Sequence, residues 1–171
     1  TDCVFDGVNG NYTEDDDSNA TDLYGKTKYL GEIGNEKHVI TLRTSIIGHE
    51  LKHHISLVDW FLNQNNEVNG FANAIYTGFP TVEFAHIISN VIIPNKDISG
   101  LFNVSAEKIN KFELITLISR IYEKQIKIIP YDKFVCDRSL DSSKFRALTN
   151  YTPPSWESMI KDMYKDYLEN Y

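Results

Sequence analysis

Tyr24-Gly25-Lys26-Thr27-Lys28 follows an opening Thr1-Asp2-Cys3-Val4-Phe5-Asp6-Gly7 and precedes a nearly continuous apolar and β-branched run from Val39 to Ile47. That order reads as strand, helix, strand. Cys3-Val4-Phe5 is a short apolar run ended by Asp6-Gly7, which predicts a strand leaving a sheet into a loop. Asp22 suits the N-cap of a helix that carries Leu23, Thr27 and Leu30 on one face and stops at Gly34-Asn35. The Val39–Ile47 run suits a strand buried on both faces. At about 3.6 residues per turn, Tyr24 and Lys28 share one face of the helix. An ammonium held near a phenol favours the phenolate, as a tyrosine acid/base requires. Because Thr1 already lies in a strand-like stretch, the chain is expected to be the back part of a longer protein.

Working outward, Ser56-x-x-Asp59 predicts a capping box that opens a helix through Trp60, Phe61 and Leu62, and Asn63 to Gly70 breaks the pattern. Pro80-Thr81 introduces Phe84, Ile87, Ile88 and Val91 at helical spacing, and Gly100 to Ser105 reads as a strand. Asn110-x-x-Glu113 caps an amphipathic helix of Leu114, Leu117, Ile118 and Ile121, and Gln125 to Ile129 alternates like a strand. After Pro153-Pro154, a last helix carries Trp156, Met159, Ile160, Met163 and Tyr167 on one side. Strands alternating with helices imply an α/β fold with a mainly parallel sheet.

The 171 residues are 42% hydrophobic and 12% aromatic, as in a soluble globular protein, and no apolar run reaches the roughly 20 residues of a membrane span. A net charge of -7 argues against nucleic-acid binding, which needs basic surface to replace counterions, but leaves room for a small phosphorylated ligand. Two cysteines, Cys3 and Cys136, build neither a disulfide framework nor a metal knuckle, and a reducing cytoplasm is the default. The run Glu14-Asp15-Asp16-Asp17 lacks the spacing of a calcium loop and reads as a solvated loop.

A lone Tyr-x-x-x-Lys is weak evidence in a chain with 10 tyrosines and many lysines. Its context strengthens it: the match opens a helix between two strand-like runs, and ligands in doubly wound folds gather where strands end, so Thr1, Tyr24 and Lys28 can converge on one crevice. The surrounding motifs fall in a single order. Thr1-Asp2-Cys3-Val4-Phe5-Asp6-Gly7 resembles the Ser-Thr-Asp-Tyr-Val-Phe-Asp-Gly run of extended short-chain dehydrogenase/reductases of the dTDP-4-dehydrorhamnose reductase type, and Tyr12-Thr13-Glu14-Asp15 resembles their Tyr-x-Glu loop. Tyr24-Gly25-Lys26-Thr27-Lys28 with Gly31-Glu32 is similar to the family's catalytic helix, Leu42-Arg43-Thr44-Ser45 to its next strand, and Gly78-x-Pro80-Thr81 to the opening of a later helix.

The resemblance implies a Rossmann-like, doubly wound, mainly parallel sheet with a smaller α/β substrate-binding lobe. Residues 1–48 and 80–105 would complete the NAD(P)-binding domain, and residues 49–79 and 106–171 would form the lobe. Tyr24 would donate a proton to the reduced carbonyl oxygen, Lys28 would favour its phenolate and hold the nicotinamide ribose, and Thr1 would orient the carbonyl. Tyr24, Lys28 and Ser45 would border the cofactor, NADPH or NADH. Thr1, Asp2, Ile46 and Arg138 would meet a nucleotide-sugar substrate, Arg138 through its planar donor fork on the diphosphate; a surface ion pair is the equal alternative for that arginine. The implied protein reduces the 4-keto group of a nucleotide-linked deoxysugar in the cytoplasm, for a cell-surface polysaccharide, with neither nucleic-acid nor membrane partner; a homodimer is compatible with it.

Four departures bear on this. Ile46 stands where these reductases often carry an aromatic, Cys3 where they carry a tyrosine, and Ser139 follows Arg138 where they usually have proline, which leaves the hexose and nucleotide open. No Gly-x-x-Gly-x-x-Gly loop follows any strand, so the cofactor-diphosphate segment is expected upstream, and the 171-residue chain alone is expected neither to unfold cooperatively nor to bind a nicotinamide cofactor. Some relatives keep the fold as regulatory subunits, such as the β subunit of methionine adenosyltransferase. His49-Glu50-Leu51-Lys52-His53 also matches His-Glu-x-x-His, the pattern of zinc hydrolases. Lys52 inside the motif, its start directly after a strand and Gly48, and the lack of an obvious third ligand argue against that reading, and no metal site is expected.

Overall fold

In the computed structural model, which describes residues 1–34, 36–53 and 55–171, the opening stretch turns instead of extending. Asp2–Val4 form a 3-10 turn: the Cys3 N–H donates to Thr1 Oγ1 at 3.3 Å, and the Phe5 N–H bonds back to the Asp2 carbonyl at 3.0 Å. These local bonds take up groups that the expected strand would offer to a neighbour. The apolar residues pack all the same, since Val4 and Phe5 are fully buried with Tyr12 and Leu140, and Phe5 stacks on Tyr12 at 4.1 Å between ring centroids.

The strands are β1 (Ile40–Arg43), β2 (Ile46–Ile47), β3 (Glu67–Tyr76), β4 (Phe79–Pro80), β5 (Gly100–Asn103), β6 (Ile109–Asn110) and β7 (Lys127–Asp137). The helices are α1 (Leu23–Leu30), α2 (Leu57–Leu62), α3 (Thr81–Ile87, continued by a π-helical turn over Ile88–Ile92), α4 (Lys111–Ile121), α5 (Ser143–Thr149) and α6 (Trp156–Asn170). β1 runs parallel to β5, with Ile40 opposite Gly100 and Arg43 opposite Asn103, and β2 runs parallel to β4. β3 lies between β6, antiparallel, and β7, parallel, with a register shift between Phe71 and Asn73. Parallel pairing thus dominates, as expected, but among the described residues it is divided over three small sheets.

Several elements differ from their sequence reading. The Val39–Ile47 run breaks at Thr44-Ser45 into β1 and β2, and Ile46 is 48% exposed, so the run is not buried on both faces. α1 is capped by Asp22, whose carboxylate accepts the Gly25 N–H at 2.8 Å, but it ends at Gly31, before the expected Gly34; Asn35 lies outside the described residues. Its apolar residues do not face a core, with Leu23 and Leu30 exposed; the buried residue of the helix is Gly25. A Cβ at Gly25 would collide with the Cys3 carbonyl and the Ala20 methyl, so the missing side chain is what seats α1 on the Asp2–Val4 turn. The box at Ser56 does not form: Ser56 Oγ donates to the Gly48 carbonyl at 3.2 Å, and the Asp59 carboxylate accepts the Glu50 N–H at 2.8 Å.

The expected break from Asn63 to Gly70 is instead where β3 begins, although Asn69 and Gly70 are poor strand formers. Gly70 lies so close to Phe112 that a Cβ would crowd the ring and backbone of α4's first turn, so the weak strand residue is what lets α4 pack on the sheet. Asn110 caps α4 through the Glu113 N–H at 2.8 Å, as expected. One apolar cluster joins Val58, Phe61, Val68, Tyr76, Leu114 and Ile118, and another joins Phe79, Ile87, Phe102, Val104 and Phe145. α6 closes both, placing Ile160 and Met163 in the first and Met159 in the second.

Candidate active-site cleft

A cleft of about 730 Å³ opens where β1 ends, bordered there by Leu42, Thr44 and Ser45. One wall comes from residues 1–47: Thr1, Asp2 and Cys3 on the 3-10 turn, Tyr24 and Lys28 on α1, and Ile46. The facing wall comes from Leu57, the end of β3 at Ala74–Tyr76, Lys111 at the start of α4, and Phe134, Cys136 and Arg138 along and just past β7. All seven residues singled out in the sequence, Thr1, Asp2, Tyr24, Lys28, Ser45, Ile46 and Arg138, border this one space. Tyr76, Lys111 and Phe134 were missed. Tyr76 ends β3 and Phe134 lies in the part of β7 beyond the expected Gln125–Ile129 strand, whereas Lys111 opens the expected helix α4.

Tyr24 is 56% exposed, and the Lys28 ammonium lies 5.9 Å from its ring centroid. Neither side chain has a hydrogen bond or ion pair among the described residues, so both polar ends are available to a ligand. The helix carrying them is fixed at both ends. At its start stand the Asp22 cap and the Gly25 contact; just past its end, Glu32 takes two hydrogen bonds of 2.7 Å from Arg43 Nε and Nη2. The Arg43 side chain is 2% exposed and its guanidinium lies 5.3 Å from the Phe5 ring centroid, so the pair ties α1 to β1 and to the first turn together.

Lys28, Lys111 and Arg138 against Asp2 leave the cleft net positive in a chain of net charge -7. Arg138 Nη1 contacts Cys3 Sγ at 3.5 Å, and its Nε is buried with no partner among the described residues. Burial, with the Asp2 charge adding, pushes the Cys3 thiol up, which keeps it a neutral thiol beside that arginine.

The loop from Asp6 to Tyr12 supports this wall. Tyr12 O–H donates to Asp6 at 2.8 Å, Glu14 accepts the Asn103 N–H at 2.7 Å, and Asn103 Nδ2 donates to the Tyr12 carbonyl at 2.8 Å. Ser139 is fully buried, its Oγ accepting the Asn11 N–H at 2.7 Å, so the residue in the place of a proline joins this loop to the segment after β7.

The His-Glu-x-x-His segment is not helical, and Gly48–His53 run as loop and bend. His49 Nδ1 lies 2.7 Å from Asp59 Oδ1 and Nε2 lies 2.9 Å from the Tyr122 hydroxyl, while the ring stacks on Tyr167 at 4.3 Å. Both ring nitrogens are thereby engaged in protein hydrogen bonds. Burial pushes the Tyr122 phenol well up, so it keeps its proton beside the ring. Among the described residues no group of three His, Cys, Asp or Glu side chains is placed to hold a metal ion.

The chain resembles three solved reductase structures. These are dTDP-4-dehydrorhamnose reductase from Bacillus anthracis in complex with NADP (20% identity, 99% of this chain and 63% of that one, TM-score 0.78), its counterpart from Clostridium acetobutylicum (24%, 98% and 64%, 0.78), and a hypothetical dTDP-4-dehydrorhamnose reductase from Sulfolobus tokodaii (26%, 92% and 60%, 0.70). It spans less than two thirds of each, and with them it shares the Rossmann-like α/β fold of the extended short-chain dehydrogenase/reductases. No curated protein matches it. Residues 1–169 match the RmlD substrate binding domain, and on that match over nearly its whole length the chain belongs to that family.

Proposed function

We propose that the protein is an NADPH- or NADH-dependent reductase of the 4-keto group of a nucleotide-linked deoxysugar. The observation that carries this is the pair Tyr24 and Lys28, without a side-chain hydrogen bond or ion pair among the described residues and bordering, on the same wall as Thr1, a net-positive cleft. Tyr24 donates its phenolic proton to the carbonyl oxygen as that oxygen gains charge, and Lys28 holds the nicotinamide ribose and favours the phenolate left behind. Thr1 Oγ1, which accepts the Cys3 N–H at 3.3 Å, orients the carbonyl. The nicotinamide supplies the hydride. Ser45 borders the cofactor side, and Asp2, Ile46 and Arg138 border the sugar and its diphosphate; the buried, unpartnered Nε of Arg138 suits a phosphate oxygen.

The division of labour follows the two walls: residues 1–48 and 80–105 belong to the cofactor-binding unit, and residues 49–79 and 106–171 form the sugar lobe. We place the reaction in the cytoplasm, in making a cell-surface polysaccharide precursor. The test is NADPH oxidation by the full-length protein over a panel of 4-keto-6-deoxy sugar nucleotides. Turnover of at least one is expected, lowered about 10²–10⁴-fold by Tyr24→Phe with little change in affinity. Intact turnover in that variant removes the catalytic assignment, and turnover of no panel member leaves a regulatory, binding subunit as the better reading.

A further inference from the structure

Tyr76 ends β3 with its ring inside the larger apolar cluster, 5.9 Å from Trp156, and is 8% exposed. Its hydroxyl presses on Gly78, where a Cβ would collide with it, yet it is buried and has no hydrogen-bond partner among the described residues. A buried O–H without a partner is costly, and native proteins rarely keep one unless a water or ligand completes it. Tyr76 borders the cleft together with Asp2, which is also 8% exposed and whose Oδ1 receives contacts of 3.4 Å from Thr1 and 3.5 Å from Cys3.

We propose that the Tyr76 O–H and the Asp2 carboxylate form a donor–acceptor pair that holds one hydroxyl group of the bound sugar, which makes Tyr76 a specificity-determining residue. This rests on reading the cleft as a sugar-nucleotide site. A hydroxyl is the group that satisfies both, accepting from Tyr76 while donating to Asp2; a ketone oxygen can only accept, so the pair reads a position other than the reacting carbonyl. Burial, with the Asp2 charge adding, pushes the Tyr76 phenol well above its ordinary value, so it remains a donor throughout the working range.

The test compares wild-type and Tyr76→Phe full-length protein by calorimetric titration with dTDP-glucose, UDP-glucose and GDP-mannose, and with dTDP, UDP and GDP alone. For whichever sugar nucleotide the wild type binds, the variant is expected to lose about 10-fold in affinity, with the matching nucleoside diphosphate bound unchanged and the ligand-free melting temperature not lowered. Equal affinity for the sugar nucleotide, an equal loss for the diphosphate alone, or a lower ligand-free melting temperature overturns the role of Tyr76 while leaving the functional reading intact. A wild type that binds none of the sugar nucleotides overturns both.

Discussion

Glu32 stands just past the end of α1, and both of its carboxylate oxygens lie 2.7 Å from Arg43 nitrogens, with side-chain exposures of 12% for Glu32 and 2% for Arg43. Glu32→Gln keeps the shape, removes the charge and turns one acceptor into an amide N–H that faces a guanidinium N–H. Two magnitudes bracket the loss: an exposed pair contributes about 0–1 kcal/mol, whereas removing one partner of a buried pair costs about 3–5 kcal/mol. The burial puts this pair near the second figure, and the surviving carbonyl acceptor moderates it, so a loss of about 3 kcal/mol is expected. In the full-length protein the urea midpoint falls by that loss divided by the denaturant slope. The double variant Glu32→Leu/Arg43→Met removes both charges and is expected to recover most of the loss, because a buried pair and a well-packed apolar replacement are nearly equivalent. Urea unfolding of the full-length wild type, Glu32→Gln and the double variant compares the three. A loss below about 1 kcal/mol for Glu32→Gln, or a double variant as unstable as the single one, refutes the claim that this pair anchors α1.

Gly25→Ala sets a helix-propensity gain of about 1 kcal/mol against an overpacking cost of about 1–3 kcal/mol. The group met is the Cys3 carbonyl, which cannot swing aside, so the variant is expected to be less stable and to lose turnover as Tyr24 and Lys28 shift from Thr1; unchanged melting temperature and turnover would contradict that seating. The Asp22 carboxyl is held below the usual carboxylate range, first by the Gly25 N–H. With the folded value depressed, the cap's contribution is fully present above the unfolded value of about 3.9 and fades as the pH falls through and below it. Asp22→Asn, which keeps an acceptor, is expected to flatten that acid dependence; an acid limb identical to wild type would sink the cap's role in it.

What could be read from the sequence was whatever depends on neighbours in the chain. The caps at Asp22 and Asn110 and the face of α6 follow from local spacing, and the structure places them as expected. What could not be read depends on distant contacts. Cys3-Val4-Phe5 has strand composition, but its backbone closes on itself and its side chains find Tyr12 and Leu140. β3 has the composition of a loop, but Gly70 is required there by Phe112, far along the chain, which no local window contains. The same limit divided the site: residues on the first wall lie in contiguous motifs, whereas Tyr76, Lys111 and Phe134 come together through the pairing of β3 with β6, which leads into α4, and with β7.

His-Glu-x-x-His illustrates the point from the other side. The pattern means zinc chemistry only on a helix, where residues four apart share a face. Directly after β2, at Gly48, the backbone takes another course, and His49 is held instead by Asp59 of α2, Tyr122 at the end of α4 and Tyr167 of α6. Three helices therefore converge on the segment that follows Ile46 and Ile47, and Ile46 borders the cleft. The residue that most suggested a second chemistry fixes the rim of the cleft: the position of Ile46 there depends on a buried imidazole joint to α2, α4 and α6.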